Sequence, residues 1–230
     1  MKRFTALLLV LGLVLALGIA AAQAENYKVG DHVLFGHYEQ DNNANNGTED
    51  IRWLVIGKDG DELFLLSQKG LEMRPFNKRS DGTMWKDSAL REWLNSTFLY
   101  AAFTASEQNA ILTTTVEDTL EHSNRNWNSG KRYGETAFDK VFLLSYKEMN
   151  EMVSKSDRYC EPSRHVIAQG CYTERHNGIK TCWYWLRTSA YNNNAVVVDA
   201  GGVLDTCYIH HTYGVVRPAL WVNSSAVTLD

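Results

Sequence analysis

Apolar and polar positions alternate with a period of two at both ends of the chain and with a helical period in the middle. The segment Tyr27-Lys28-Val29-Gly30-Asp31-His32-Val33-Leu34-Phe35-Gly36 has the alternation of a strand, and the polar stretch Asp41 to Asp50, DNNANNGTED, reads as a loop. Ile51-Arg52-Trp53-Leu54-Val55-Ile56, a Lys58-Asp59-Gly60-Asp61 turn and Leu63-Phe64-Leu65-Leu66-Ser67 predict a hairpin. Then the period changes. Leu90, Trp93 and Leu94 fall on one helical face behind a cap at Asp87 or Ser88. Thr104 with Glu107 and Ser145 with Glu148 are two S/T-x-x-E capping boxes, each opening a further helix. His122 to Gly130 has no period and reads as a long surface loop. Phe142-Leu143-Leu144-Ser145 repeats the earlier Phe64-Leu65-Leu66-Ser67, which suggests two similar buried strands ended by serine. The last third is β: Cys182 to Ser189, Ala195 to Asp199 turning through Ala200-Gly201-Gly202 into Val203-Leu204, and Val215 to Val222. Strands outside, helices between and no βαβ alternation predict the α+β class, with mixed or antiparallel sheets, a few helices and long irregular loops.

The first residues change where this fold is expected to work. Lys2 and Arg3, an apolar run from Ala6 to Ile19 and the triplet Ala22-Gln23-Ala24 read as a secretory signal peptide over residues 1–24. An exported chain of 25–230 follows, expected as one domain because three prolines and no Pro/Ser-rich tract leave no linker. Loss of Lys2 and Arg3 leaves 21 basic against 27 acidic side chains, a balance of −6. That acidity argues against nucleic acid and anionic membrane surfaces, and no membrane insertion is expected after signal cleavage.

Export permits oxidation, so the four cysteines Cys160, Cys171, Cys182 and Cys207 are expected as two disulfides, with three possible connectivities and a lean toward Cys160 with Cys182 and Cys171 with Cys207. Free structural thiols are the other reading. No CxxC pair supports a redox or zinc motif. His210 and His211 near Asp205 and Cys207 are the best metal candidates by composition, but adjacent residues of a strand point to opposite faces, so no metal and no cofactor is expected. A cysteine nucleophile with His165 or His176 is less expected than a bridged thiol, and Glu49-Asp50 reads as solvating charge.

The aromatic segment Cys182-Trp183-Tyr184-Trp185-Leu186-Arg187-Thr188-Ser189 is either core or a platform for stacking on a ligand. As a strand it places Trp183, Trp185 and Arg187 on one face and Cys182, Tyr184 and Leu186 on the other; two apolar faces favour core. Arg187 and Arg217 each follow an apolar strand and are expected to fork onto Asp199 or Asp205 as a buried ion pair, with a clamp for a ligand carboxylate as the alternative. The better binding candidates are polar loops: Arg125, Trp127 and Asn128 in the long loop, and Tyr191, Asn192, Asn193 and Asn194 after the aromatic strand, since amides, arginine and an isolated aromatic suit polar ligands.

The Trp-Tyr-Trp-Leu-Arg-Thr-Ser segment, the valine hairpin Ala195 to Leu204 and Val216-Arg217-Pro218-Ala219-Leu220-Trp221-Val222 together resemble a secreted bacterial domain of unknown function whose hallmark is W-W-L-R-S followed by V-R-P-A-L. Leu90-Arg91-Glu92-Trp93-Leu94-Asn95 and Arg158-Tyr159-Cys160-Glu161-Pro162 agree with it. That domain is similar in turn to the C-type-lectin-like fold of formylglycine-generating enzymes (sulfatase-modifying factors). The resemblance implies an α+β unit whose loops carry recognition, and it transfers no catalytic residue. Of the calcium-lectin triplets, Glu161-Pro162-Ser163 keeps two positions of Glu-Pro-Asn, and Trp-Asn-Asp is missing. The expected function is a secreted or cell-surface, non-catalytic ligand-binding or adhesion module for an extracellular glycan or protein. An extracytoplasmic hydrolase or oxidoreductase with a site assembled from distant residues, or a structural envelope component, are the alternatives.

Overall fold

A computed structural model describes residues 27–79, 84–117, 135–190 and 193–230. Two five-stranded sheets dominate it. The first takes its strands from early and late in the chain: β1 (His32–Tyr38), β2 (Glu49–Asp59) and β3 (Glu62–Ser67) form an antiparallel meander that contains the expected hairpin. After the short β4 (Lys69–Gly70) and β5 (Glu72–Met73), the chain enters helices over Ala89–Trp93, Leu99–Ala102 and Ala105–Ala110, then a ribbon of β6 (Thr114–Glu117) and β7 (Thr136–Asp139). A helix over Tyr146–Met152, β8 (Glu161–Pro162), a helix over Arg164–Ala168 and the hairpin β9 (Glu174–His176) with β10 (Ile179–Thr181) lead to the aromatic strand β11 (Tyr184–Ala190). β12 (Asn194–Val198), β13 (Leu204–Tyr208), β14 (Val215–Val216), β15 (Ala219–Asn223) and β16 (Thr228–Leu229) close the chain. The strand orders are β15-β3-β2-β1-β16 and β13-β12-β11-β14-β5, so the protein is α+β.

The helix starts form as their side chains dictate. Ser88 Oγ accepts from Arg91 N at 3.1 Å, and Thr104/Glu107 and Ser145/Glu148 both complete reciprocal capping boxes. The first helix does not stop at Asn95: it passes through a π-helical turn over Leu94–Phe98 into Leu99–Ala102, which keeps Leu94, Phe98, Leu99 and Ala102 buried.

Two expected strands are resolved differently. Val215 to Val222 is not one strand. Val215 and Val216 pair with Met73 and Glu72 in the second sheet, whereas Ala219 to Asn223 pairs with Leu66 to Glu62 in the first. The crossing falls at Arg217-Pro218, where a proline without an N–H leaves no ladder donor missing and its carbonyl accepts from Ser67 N at 2.9 Å. The second FLLS also fails to become a full strand. Phe142 makes a single bridge to Ala219, and the carbonyls of Leu143 and Leu144 accept from Arg187, through its Nη1 at 2.8 Å and its backbone N–H at 2.9 Å.

Both sheets share one buried apolar cluster that includes Trp53, Leu65, Phe76, Trp85, Phe142, Tyr184 and Trp185. Trp185 is fully buried, donates from Nε1 to Arg74 O at 2.8 Å, and stands edge-on to Phe76 and Trp183. It lies on the backbone of Gly214, where a Cβ would come within 1.8 Å of its Nε1. No disulfide joins the cysteines: all four described thiols are free. Neither expected pairing, Cys160 with Cys182 or Cys171 with Cys207, is present; Cys207 lies on β13 opposite Ala195. No helix among the described residues is long and apolar enough to cross a membrane.

Candidate functional site

A cleft with a volume of about 680 Å³ opens beside the β1–β2 connection. Its lining combines Gln40, Asp41, Glu49 and Asp50 at the β1–β2 connection, Arg52 on β2, Gln68 and Lys69 after β3, and Glu161, Pro162 and Arg164 around β8. The short parallel pairing of Lys69 with Glu161 and Gly70 with Pro162 brings the last two groups together.

The sequence builds the β1–β2 connection around three carboxylates. Glu49 caps backbone donors of Gln40 (2.7 Å) and Asp41 (3.1 Å), Glu39 Oε1 caps those of Asn42 (2.6 Å) and Asn43 (3.1 Å), and Asn46 Nδ2 donates to Asp41 Oδ2 at 2.8 Å. Asn42 adopts the left-handed region at φ 65°, which asparagine tolerates. One carboxylate oxygen each of Glu39, Asp41 and Glu49 lies within 4.8 Å of the others, the one His/Cys/Asp/Glu grouping with metal-ligand spacing among the described residues. Hydrogen bonds occupy one oxygen of each carboxylate, Glu39 Oε1, Asp41 Oδ2 and Glu49 Oε2, while Asp41 Oδ1 is shielded from water with no partner. The loop is held to the opposite wall by His165 N donating to Gln40 O at 3.1 Å.

Behind that wall sits a polar network centred on the buried Glu72. Tyr38 donates to Glu72 Oε2 at 2.8 Å, Gln169 Nε2 donates to Glu72 Oε1, and His165 Nε2 stands 3.9 Å from the same oxygen. Burial, reinforced by the Glu72 charge, raises the Tyr38 pKa well above its ordinary value, so the phenol stays protonated and remains a donor. Of the cleft cations, Arg52 is paired with Asp230 at the end of the chain, whereas exposed Lys69 and Arg164 make no ion pair among the described residues.

The arginines expected to pair with the valine hairpin do something else. Arg187, 4% exposed, forks onto Glu148 through Nη1–Oε2 at 2.5 Å and Nη2–Oε1 at 2.8 Å, and also donates to Glu117 O and Leu143 O. Asp199 is occupied in its own turn, accepting from Val203 N at 2.8 Å, and Asp205 accepts from Thr206 N. Burial alone would raise the Glu148 pKa, but the Arg187 charge and the hydrogen bonds from Arg187 and Ser145 hold it below its ordinary value. Arg217, 3% exposed, has no carboxylate partner among the described residues. It donates to Ser67 O, Asp157 O and Tyr184 Oη, and its guanidinium lies over the Tyr184 ring at 5.2 Å.

The family model of a domain of unknown function, DUF6273, matches residues 60–224. The chain belongs to the DUF6273 family. No curated protein and no solved structure matches it. The DUF6273 match contains Gln68, Lys69, Glu161 and Arg164, while Gln40 to Arg52 precede it. One side of the cleft is thus family territory and the facing loop lies outside the matched span.

Of the binding candidates singled out in the sequence, the two that are described, Asn193 and Asn194, do not line this cleft. Arg125, Trp127, Asn128, Tyr191 and Asn192 lie outside the described residues, as does the expected signal peptide over 1–24. Asn193 takes a left-handed turn at φ 61° and Asn194 begins β12 with its Oδ1 shielded from water and without a hydrogen bond. Trp183 is only partly buried and meets His211 edge-on at 5.4 Å. His211 Nδ1 accepts from Tyr213 N, and the His210 ring lies tilted against Tyr208 at 5.8 Å. The signal that would have pointed to the cleft was present in DNNANNGTED: acids at both ends of an asparagine-rich run, spaced to cap its backbone.

Proposed function

We propose that the protein is an exported, non-catalytic binding module of C-type-lectin-like architecture, and that the cleft between the 39–49 loop and the β4–β8 pair holds a short charged peptide segment. The signal-like leader supports export. Pairing of the first and last described strands, β1 with β16, and the long irregular connections between two sheets support the lectin-like reading.

The observation that carries the peptide reading is the lining of the cleft. Four carboxylates, three cations and two amides face it, and no aromatic ring among the described residues does. Neutral sugars are commonly held by hydrogen bonds combined with stacking on an aromatic face, and this cleft offers no such platform. Charges of both signs suit a ligand that carries both, and Lys69 and Arg164 are available for its carboxylates. A parallel glycan and peptide array with the purified chain tests the reading. Charged peptides should bind in a salt-sensitive way, and Lys69→Ala with Arg164→Ala should weaken them at least about 10-fold, the ~1.4 kcal/mol expected of lost charge-assisted contacts. Binding of neutral glycans only, or peptide binding unchanged in the double variant, would overturn it.

A further inference from the structure

A smaller cavity of about 160 Å³ adjoins the cleft, and Gln68 and Glu161 line both. Its lining runs from exposed to buried. Ser156, Asp157, Glu161 and Ile179 are exposed, whereas Leu54 and Arg217 are buried. The two carboxylates therefore stand at the mouth and the guanidinium at the floor.

The donors of Arg217 can be counted. A guanidinium carries five N–H groups and no acceptor. Nε donates to Ser67 O at 2.8 Å, and Nη1 spends both of its hydrogens, on Asp157 O at 2.9 Å and on Tyr184 Oη at 3.1 Å. The two N–H groups of Nη2 meet no acceptor among the described residues, and Nη2 is not one of the partnerless polar atoms sealed from solvent. Nη2 is thus the nitrogen left for the cavity. All three acceptors are neutral groups, so this buried cation has no counter-charge, and an arginine does not escape by losing its proton. The Asp157 carboxylate is engaged elsewhere, accepting from Ser154 Oγ at 2.6 Å. Ser67 ends β3 in the first sheet and Tyr184 opens β11 in the second, so the guanidinium is fixed between the two sheets with one edge open. That is a preformed seat for a carboxylate oxygen.

The size of the cavity decides what can bring one. Pockets for drug-sized ligands start at about 300 Å³, so a cavity of about 160 Å³ takes one chain end and not a chain passing through. We infer that it captures the C-terminal carboxylate of the peptide held in the cleft, and that the last residue of that peptide is basic. The inference rests on the cleft reading above. The terminal carboxylate accepts from Arg217 Nη2, the aliphatic stem of the last residue packs on Leu54 and Ile179, and its cationic end turns back to Asp157 and Glu161 at the mouth. The same two carboxylates repel an acidic last residue.

Full-length protein is tested on two arrays of the same mixed Lys/Glu peptides, attached through their N-termini, one set ending in the free carboxylate and the other in the amide. Carboxylate peptides should bind at least about 10-fold more tightly than their amides, the worth of a charge-assisted hydrogen bond, and peptides ending in Lys should exceed those ending in Glu. Ser156 is exposed and lines the cavity but not the cleft, so Ser156→Trp should block the mouth, lower the carboxylate peptides to the level of the amides and leave the amides unchanged. Arg217→Gln should abolish the same preference; if that variant does not fold, Ser156→Trp decides alone. Lys69→Ala with Arg164→Ala should weaken both sets and keep their ratio, because those cations line only the cleft. Equal binding of carboxylates and amides, a preference for Glu as the last residue, full carboxylate preference in Ser156→Trp, or loss of that preference in the Lys69/Arg164 double variant would each overturn the terminal site while leaving the cleft reading in place. Binding to neither array would overturn both.

Discussion

At the scale of single residues, the two buried arginines set the terms. Arg187 is tied to three elements at once by its fork to Glu148 and its donations to Glu117 O and Leu143 O. Glu148 has a second duty, since its Oε2 also accepts from Ser145 N at 2.6 Å and completes the helix cap. Glu148 is 24% exposed, so solvent moderates the cost of losing its charge. Glu148→Gln is expected to destabilise by about 2–3 kcal/mol, because it strands a guanidinium that is almost fully buried. The pH dependence follows from the sign of the shift. A carboxyl depressed in the fold contributes stability that is present above its ordinary value, here 4.5, and is lost as pH falls through the lower folded value. Thermal unfolding between pH 6 and 3 should therefore show the parent losing more stability on acidification than Glu148→Gln, with the two curves converging at the acid end; parallel curves would show that the pair contributes nothing.

At the scale of elements, the sequence was most legible where one local rule decides. Both capping boxes and the β2–β3 hairpin are where spacing put them, because cap chemistry and a tight turn involve residues only a few positions apart. What stayed hidden was long-range competition for partners. Nothing local in Val215 to Val222 says that the run divides between two sheets at Arg217-Pro218, and nothing near Arg187 says that Glu148, 39 positions away, outcompetes Asp199. The β1–β2 irregularity is another such case. Between Leu34 and His37 the register shifts at Gly36, whose φ of 69° favours glycine and whose missing Cβ would lie 2.4 Å from the Phe103 ring and 2.8 Å from Ala102 O. Gly36→Ala should cost about 3 kcal/mol, combining left-handed strain with overpacking against Phe103. Gly60→Ala, with φ 53° and open space around its Cβ, should cost only about 1 kcal/mol. Equal denaturation midpoints for the two variants would show that the close approach to Phe103 adds nothing to the backbone strain the two positions share.

At the scale of the whole molecule, the first and last described segments close on each other. Tyr27 Oη donates to Val227 O at 3.1 Å, Val33 and Leu34 pair with Leu229 and Thr228, Asp230 N donates to His32 O at 3.0 Å, and Arg52 pairs with Asp230. β16 therefore covers the outer edge of β1, an edge that would otherwise present unpaired backbone groups. The same closure fixes Arg52, which lines the cleft, while the cleft's other cations Lys69 and Arg164 belong to the half within the matched family span. Edge cover and cleft are thereby coupled through one side chain. Deleting residues 227–230 removes the buried Val227, the β1–β16 hydrogen bonds and the Asp230 carboxylate, a loss of about 2–3 kcal/mol from apolar burial and net hydrogen bonding. The second sheet, whose strands do not touch β16, should keep its amide protection apart from the global decrease, whereas β1 amides should exchange at least about 10-fold faster than in the parent. Hydrogen exchange read by mass spectrometry on peptides from 27–38 and 194–208 separates the two. Uniform acceleration across both peptides would mean that the ends stabilise the molecule only globally, and that β1 and the cleft loop it carries have no local dependence on the strand that closes them.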